Sequence, residues 1–191
     1  GRGARSRAGR RSPPPRRSPP RPRAPRRRTA RSSSASTFEA LPRTLVVGPG
    51  AIGGFVAARL AEAGWPVAVV ARGETLAALR AGPLVLTDDG RERRVRLRAV
   101  AEPREHGPVA LALVCVKSFD TEGAGRALAP ALTPGAVVLS LQNGVENPAA
   151  LARACPGAQV GGVAVYLGCQ RTAPAPVVRR PSRDPSTGRL R

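Results

Sequence analysis

Between Thr44 and about Gln170 the chain alternates short apolar runs with stretches whose apolar residues recur three and four positions apart. The first spacing suits a strand covered on both faces and the second an amphipathic helix. The pattern predicts strand Thr44–Val47, then a helix near Ile52–Ala63 with Ile52, Phe55, Val56, Leu60 and Ala63 on its apolar face and Gly64 as its stop. Strand Val67–Ala71 and a helical stretch Glu74–Arg80 come next. Strands Leu84–Thr87 and Arg93–Leu97 flank a turn at Asp88-Asp89-Gly90. Strand Leu111–Val116, helix Thr121–Ala131, strand Ala136–Leu141, helix Asn147–Ala154 and strand Gln159–Tyr166 complete the series. Strand and helix in alternation at these spacings predict an α/β fold, a Rossmann-type doubly wound parallel sheet. Right-handed crossovers then set the carboxyl ends of the strands along one ligand crevice.

The two ends break this pattern. Residues 1–43 are dominated by Arg, Pro, Ser, Ala and Gly and have no apolar face to bury, so a disordered basic tail is expected there. Residues 171–191 are again rich in Arg, Pro and Ser and are expected to be an irregular basic tail. The dinucleotide-binding domain is therefore placed at 44–170. Charge follows the same division. The net charge of +20 places +13 on residues 1–43 and +5 on residues 171–191, leaving +2 for residues 44–170. That central value suits a soluble enzyme domain and argues against a specific nucleic-acid partner. The N-terminal arginines have no aromatic residue among them to stack on bases. A basic arm, an organelle transit peptide and upstream sequence translated from a misplaced start all remain open for this stretch, the last favoured.

Of the 32 cationic residues 31 are Arg, and Met is absent, a skew that GC-rich codons produce. A chain that begins with Gly and contains no Met is expected to be a processed product or a fragment. Cys115, Cys155 and Cys169 form no close pair, and His106 is the single histidine, so no metal site is expected and the thiols read as reduced and structural. No apolar run is long enough for a membrane span. With reduced thiols an intracellular setting is expected, taken as cytoplasmic, with organelle targeting by the N-terminal stretch as the alternative. Oligomeric state is not legible.

The chemistry sits at strand ends. TLVVGPGAIGG, Thr44–Gly54, holds Gly48-x-Gly50-x-x-Gly53 between a predicted strand and a predicted helix. In that order the first glycine permits a tight turn, the second lets backbone approach a pyrophosphate, and the third lets helix pack on strand. The helix start offers free N–H groups to the anion. Gly48, Pro49, Gly50, Ala51, Ile52 and Gly53 are the expected pyrophosphate seat, with a purely structural turn as the alternative. Arg72 follows the second strand, where an acidic residue would favour NAD and an arginine pairs with the 2′-phosphate of NADP. Arg72 therefore predicts NADP(H), a solvated surface arginine being the rival. Lys117, the single lysine, and Asn143, on the turn Gln142-Asn143-Gly144, follow later strands. A compact ammonium can reach a cofactor ribose or a substrate carboxylate or carbonyl, and the Asn143 amide can meet the nicotinamide end or the substrate.

These segments together resemble the ketopantoate (2-dehydropantoate) reductase family. The resemblance rests on GPGAIGG at Gly48–Gly54, ARG at Ala71–Gly73, VCVKSFDT at Val114–Thr121, LSLQNGVEN at Leu139–Asn147 and GGVAVY at Gly161–Tyr166. It covers about Thr44–Val178, the N-terminal NADP-binding domain of that family. It implies NADPH-dependent reduction of 2-dehydropantoate to pantoate, in pantothenate and coenzyme A biosynthesis. Hydride would pass from nicotinamide C4 to the ketone carbon while a general acid protonates the developing alkoxide. Lys117 and Asn143 would lie at the nicotinamide and substrate end. The family's general-acid lysine comes from a helical C-terminal substrate domain that this sequence does not contain, so no catalytic residue is assigned. The chain is expected to bind NADP(H) and to turn over poorly or not at all alone. A non-catalytic NADP(H)-binding module and a reductase of another keto acid are the alternatives.

Overall fold

The computed structural model describes residues 41–88, 90–172 and 176–180, the last for their backbone. All of these lie in one compact unit. The expected tail falls outside the described residues as far as residue 40, and Asp89 of the predicted turn falls outside them too. Arg43 is tied down, its Nη1 donating to the His106 carbonyl at 2.9 Å.

Among the described residues ten strands and four α-helices follow in chain order: β1 Thr44–Val47, α1 Ala51–Glu62, β2 Val67–Val70, α2 Gly73–Ala81, β3 Leu84–Asp88, β4 Arg91–Val95, β5 Arg98–Val100, β6 Val109–Val114, α3 Thr121–Leu128, β7 Leu132–Ser140, α4 Asn147–Ala154, β8 Gln159–Gly162, β9 Gly168–Arg171 and β10 Pro176–Arg180. Six strands form one sheet in the order β5-β2-β1-β6-β7-β8. Every pairing in it is parallel. The order reverses between β1 and β6, and a doubly wound sheet binds its ligand at that reversal, beyond the strands' carboxyl ends. The Rossmann-type expectation holds.

Alternation along β1 builds the two cores. Leu45 and Val47 face one side with Ala68, Val70, Ala112 and Val114, under Ala124 and Leu128 of α3 and Leu151 of α4. Val46 faces the other with Val69 and Leu113, packed with Ala57 and Ala58 of α1 and Leu79 of α2. The residues that α1 buries are small, Gly53, Gly54, Ala57 and Ala58. Of the expected apolar face, Ala63 is the exposed C-cap rather than part of the face, and Ile52, Phe55, Val56 and Leu60 are only partly buried. Close approach of helix to strand leaves no room for them at the contact line.

A second sheet, ordered β4-β3-β10-β9, packs beside α1. The expectation of irregular structure after residue 170 does not hold at Arg171, which ends β9, or at Pro176–Arg180, whose backbone pairs in parallel with β3 and antiparallel with β9. Pairing to strands distant in sequence supplies the order that local composition does not. The predicted strand Gln159–Tyr166 ends at Gly162, because β7 ends at Ser140 and offers no ladder beyond the Val163 N–H to Ser140 carbonyl bond of 2.8 Å.

Candidate nucleotide-binding site

The glycine turn is built by three different constraints. Gly48 has φ +89°, and a Cβ there would meet Val116 Cγ1 at 2.7 Å and Val116 N at 3.0 Å. Only glycine takes that conformation in that space. A Cβ on Gly53 would collide with the Gly48 carbonyl oxygen and meet Cys115 Cβ at 2.9 Å. A Cβ on Gly50 would meet nothing within 4 Å. Gly48 and Gly53 are thus required by the protein itself, whereas Gly50 borders open space. Gly50 is also the N-cap of α1, with no side-chain cap and no acidic residue in the first helical turn. An uncapped helix start with free N–H groups favours an anion.

That open space is a cleft of about 460 Å³ across the ends of β1, β2 and β6. Gly48, Pro49, Gly50 and Ala51 line it, with Arg72, Lys117, Thr75, Cys115, Asp120 and Arg171. Ile52 is half-buried in the first turn of α1, and Gly53 turns inward to Gly48 and Cys115. Three cations against the single carboxylate of Asp120 make the lining electropositive. Burial pushes the Cys115 thiol up to about 12, so it borders the cleft as a neutral, weakly polar group.

Asn143 stands elsewhere. It lines a second hollow of about 500 Å³ with Gly144, Val145 and Pro148 and the segment Gly162–Tyr166. Exposed apolar side chains surround this end of the sheet, with Val145 93% and Tyr166 85% exposed. Sequence reasoning joined Lys117 and Asn143 at one end of the ligand; the structure links their turns through polar side chains. Gln142 Nε2 donates to the Val116 carbonyl at 3.0 Å and to Thr121 Oγ1 at 2.6 Å. Thr121 Oγ1 donates to Asn147 Oδ1 at 3.0 Å, and Asn147 Nδ2 donates to the Asn143 carbonyl at 2.7 Å. Ser118 Oγ, beside Lys117, also reaches the Asn143 carbonyl at 3.3 Å.

Thr75, Asp120 and Arg171 were missed as lining residues, as were Thr121 and Asn147 as the ties between turns. A threonine opening a helix carries no distinctive signal, and Arg171 sits in an arginine-rich stretch. Thr121 and Asn147 do lie within the quoted VCVKSFDT and LSLQNGVEN segments.

A parallel sheet with a glycine turn and an electropositive cleft at its switch point defines a Rossmann-type domain. The sequence profile described as ketopantoate reductase PanE/ApbA matches residues 44–188. The chain belongs to that family. It is 36% identical over 151 residues to a 2-dehydropantoate 2-reductase of Halobacterium salinarum, covering 78% of this chain and 50% of the relative. It is 37% identical over 124 residues to one of Archaeoglobus fulgidus, covering 65% and 40%. The crystal structure of a PanE/ApbA family ketopantoate reductase from Ralstonia eutropha superposes with a TM-score of 0.66 at 36% identity, covering 71% of this chain and 46% of that one. The chain spans about half the length, or less, of the relatives it matches.

Proposed function

We propose that the chain supplies the cofactor domain for NADPH-dependent reduction of 2-dehydropantoate to pantoate, a step of pantothenate and coenzyme A biosynthesis in the cytoplasm. The observation that carries this reading is the cleft at Gly50, open beyond a Cβ and bordered by the uncapped start of α1. The residues fit a dinucleotide. The Gly48 and Gly50 N–H groups are used by the Val70 and Gly48 carbonyls, so the turn Gly48-Pro49-Gly50 would floor the pyrophosphate while the N–H groups of Ala51 and Ile52, which open α1, hold it, and Arg72 would pair with the ribose 2′-phosphate. Lys117 would meet the cofactor or the keto acid with its ammonium. Asn143 would present its amide at the substrate end, on a turn fixed by Asn147. When bound, the reduced nicotinamide supplies hydride to a ketone carbon.

The general acid that completes such a reduction belongs to a helical substrate domain beyond this half-length match, as the family resemblance implies. The 191-residue chain alone is expected to bind NADPH and show no keto-acid-dependent oxidation of it. Its partner is a small keto acid. No helix among the described residues is long and apolar enough to cross a membrane.

Titration with NADPH and NADH, followed by nucleotide fluorescence, tests the reading. Saturable binding that prefers NADPH, with the preference lost in Arg72→Ala, is the expected result. Equal binding of both nucleotides would remove Arg72 from the site. No binding by folded protein would refute the cofactor reading, and steady NADPH oxidation with 2-dehydropantoate would refute the expected inactivity.

A further inference from the structure

We propose that Arg171 is a second arm of the 2′-phosphate site, closing on the same phosphate as Arg72; this rests on the NADPH reading above. Arg171 ends β9, an edge strand of the second sheet, yet its side chain lines the cleft that Arg72 and Thr75 line. Its Nη1 donates to Thr75 Oγ1 at 3.0 Å, a contact between residues 96 positions apart. Thr75 lies in the first turn of α2, whose N-cap is Arg72 itself. The Thr75 hydroxyl thus holds the Arg171 guanidinium beside the residue that opens α2. One of the five guanidinium N–H groups is used by that contact, leaving a planar fork for an anion.

Charge supports a phosphate dianion as the occupant. Neither Arg72 nor Arg171 is in an ion pair among the described residues, and Asp120 is the one carboxylate among the residues that line the cleft with them. Both arginines are exposed on the cleft side, and one phosphomonoester can accept bonds from two guanidinium groups. Thr75 is a positioning residue in this arrangement. The hairpin of β9 and β10, which extends the sheet beside α1, thereby reaches the cofactor's specificity end and supplies a contact that strand β2 alone does not.

The test is titration of the 191-residue chain and its variants with NADPH and NADH. Arg171→Gln is expected to weaken NADPH binding on the order of 10–100-fold, the scale of a charge-assisted hydrogen-bond pair, and NADH binding by less than about threefold. Arg171→Lys is expected to fall between wild type and Arg171→Gln, because charge is kept and the fork is lost. Thr75→Val, which leaves the charge and removes its support, is expected to lower the NADPH preference by a smaller factor. Wild-type preference for NADPH that survives Arg171→Gln overturns the role of Arg171 and leaves the cofactor reading standing. An equal loss for both nucleotides also overturns it, by showing a structural effect. Equal binding of the two nucleotides by the wild type overturns the NADPH reading itself. NADH binding reports folding in every variant.

Discussion

Gly53→Ala and Gly50→Ala separate what the glycine turn does for folding from what it does for a ligand. At an unobstructed interior helix position, Gly→Ala stabilises by about 1 kcal/mol. Gly53 is not such a position, because the new methyl would collide with the Gly48 carbonyl oxygen and lie 2.9 Å from Cys115 Cβ. Both obstacles belong to, or sit directly on, backbone that cannot rotate away. Overpacking of this kind costs about 1–3 kcal/mol, and rigid neighbours push the cost to the upper end. After the propensity gain the expected net loss is about 2 kcal/mol, or roughly 4–8 °C in Tm for a domain of this size. At Gly50 a methyl meets nothing within 4 Å, and the residue is the N-cap of α1. Loss of glycine at an N-cap costs at most about 1 kcal/mol, so Tm should fall by no more than about 4 °C. The methyl would, however, stand between the backbone and a pyrophosphate, and NADPH affinity should drop on the order of tenfold or more. Thermal unfolding by circular dichroism, paired with nucleotide fluorescence, reads both effects. A Gly53→Ala protein as stable as wild type would refute the close approach of α1 to β1. A Gly50→Ala protein that binds NADPH normally would refute the seating of phosphate over Gly50.

Three further outcomes follow from the structure. Thr121→Val and Gln142→Leu should each destabilise by about 1–3 kcal/mol, because each strands a partner in the network around buried Thr121 and Asn147. The double variant should cost clearly less than the sum in chemical denaturation, and strict additivity would show that the two side chains are not coupled. His106 is 7% exposed, and burial, then Arg98 and Arg43, lower its pKa from the ordinary 6.5, with the backbone at Thr44 and Pro66 partly opposing. The unfolded imidazole therefore takes up a proton first. This group leaves stability unchanged above about pH 6.5 and lowers it as pH falls below that value and through the folded pKa. His106→Leu should flatten that part of the pH dependence, and urea midpoints at about pH 7.5 and 5.5 that shift equally in both proteins would refute it. Cys115 and Cys155, both raised by burial, should resist alkylation at about pH 8 until denaturant is added. Rapid labelling of Cys115 in folded protein would show that its thiol, half-buried at the cleft wall, is not held protonated.

Periodicity along the chain was enough to place β1, α1, β2 and α4 within a residue or so, because these elements are local: VAVVA has no polar face, and Pro148 and Gly64 punctuate helices. The same local chemistry marked Gly48, Gly50 and Gly53, since a turn that demands positive φ and close contact leaves glycine at fixed spacing. Arg72 and Lys117 were legible as strand-end cations. Only the tertiary structure distinguished among the three glycines, because whether a Cβ meets Val116, Cys115 or open space depends on β6, more than 60 residues away in sequence. It also decided that β5, three residues beginning with Arg98, is the edge of the parallel sheet, a segment too short to carry a period. Arg171 entered the cleft for the same reason. Its neighbours in sequence are polar and uninformative, and its place is fixed by backbone pairing of β9 with β10 and by one bond to a threonine on α2. Local sequence sets backbone preference and the residue types available, whereas cross-strand pairing and packing between distant segments set which side chains share a cavity.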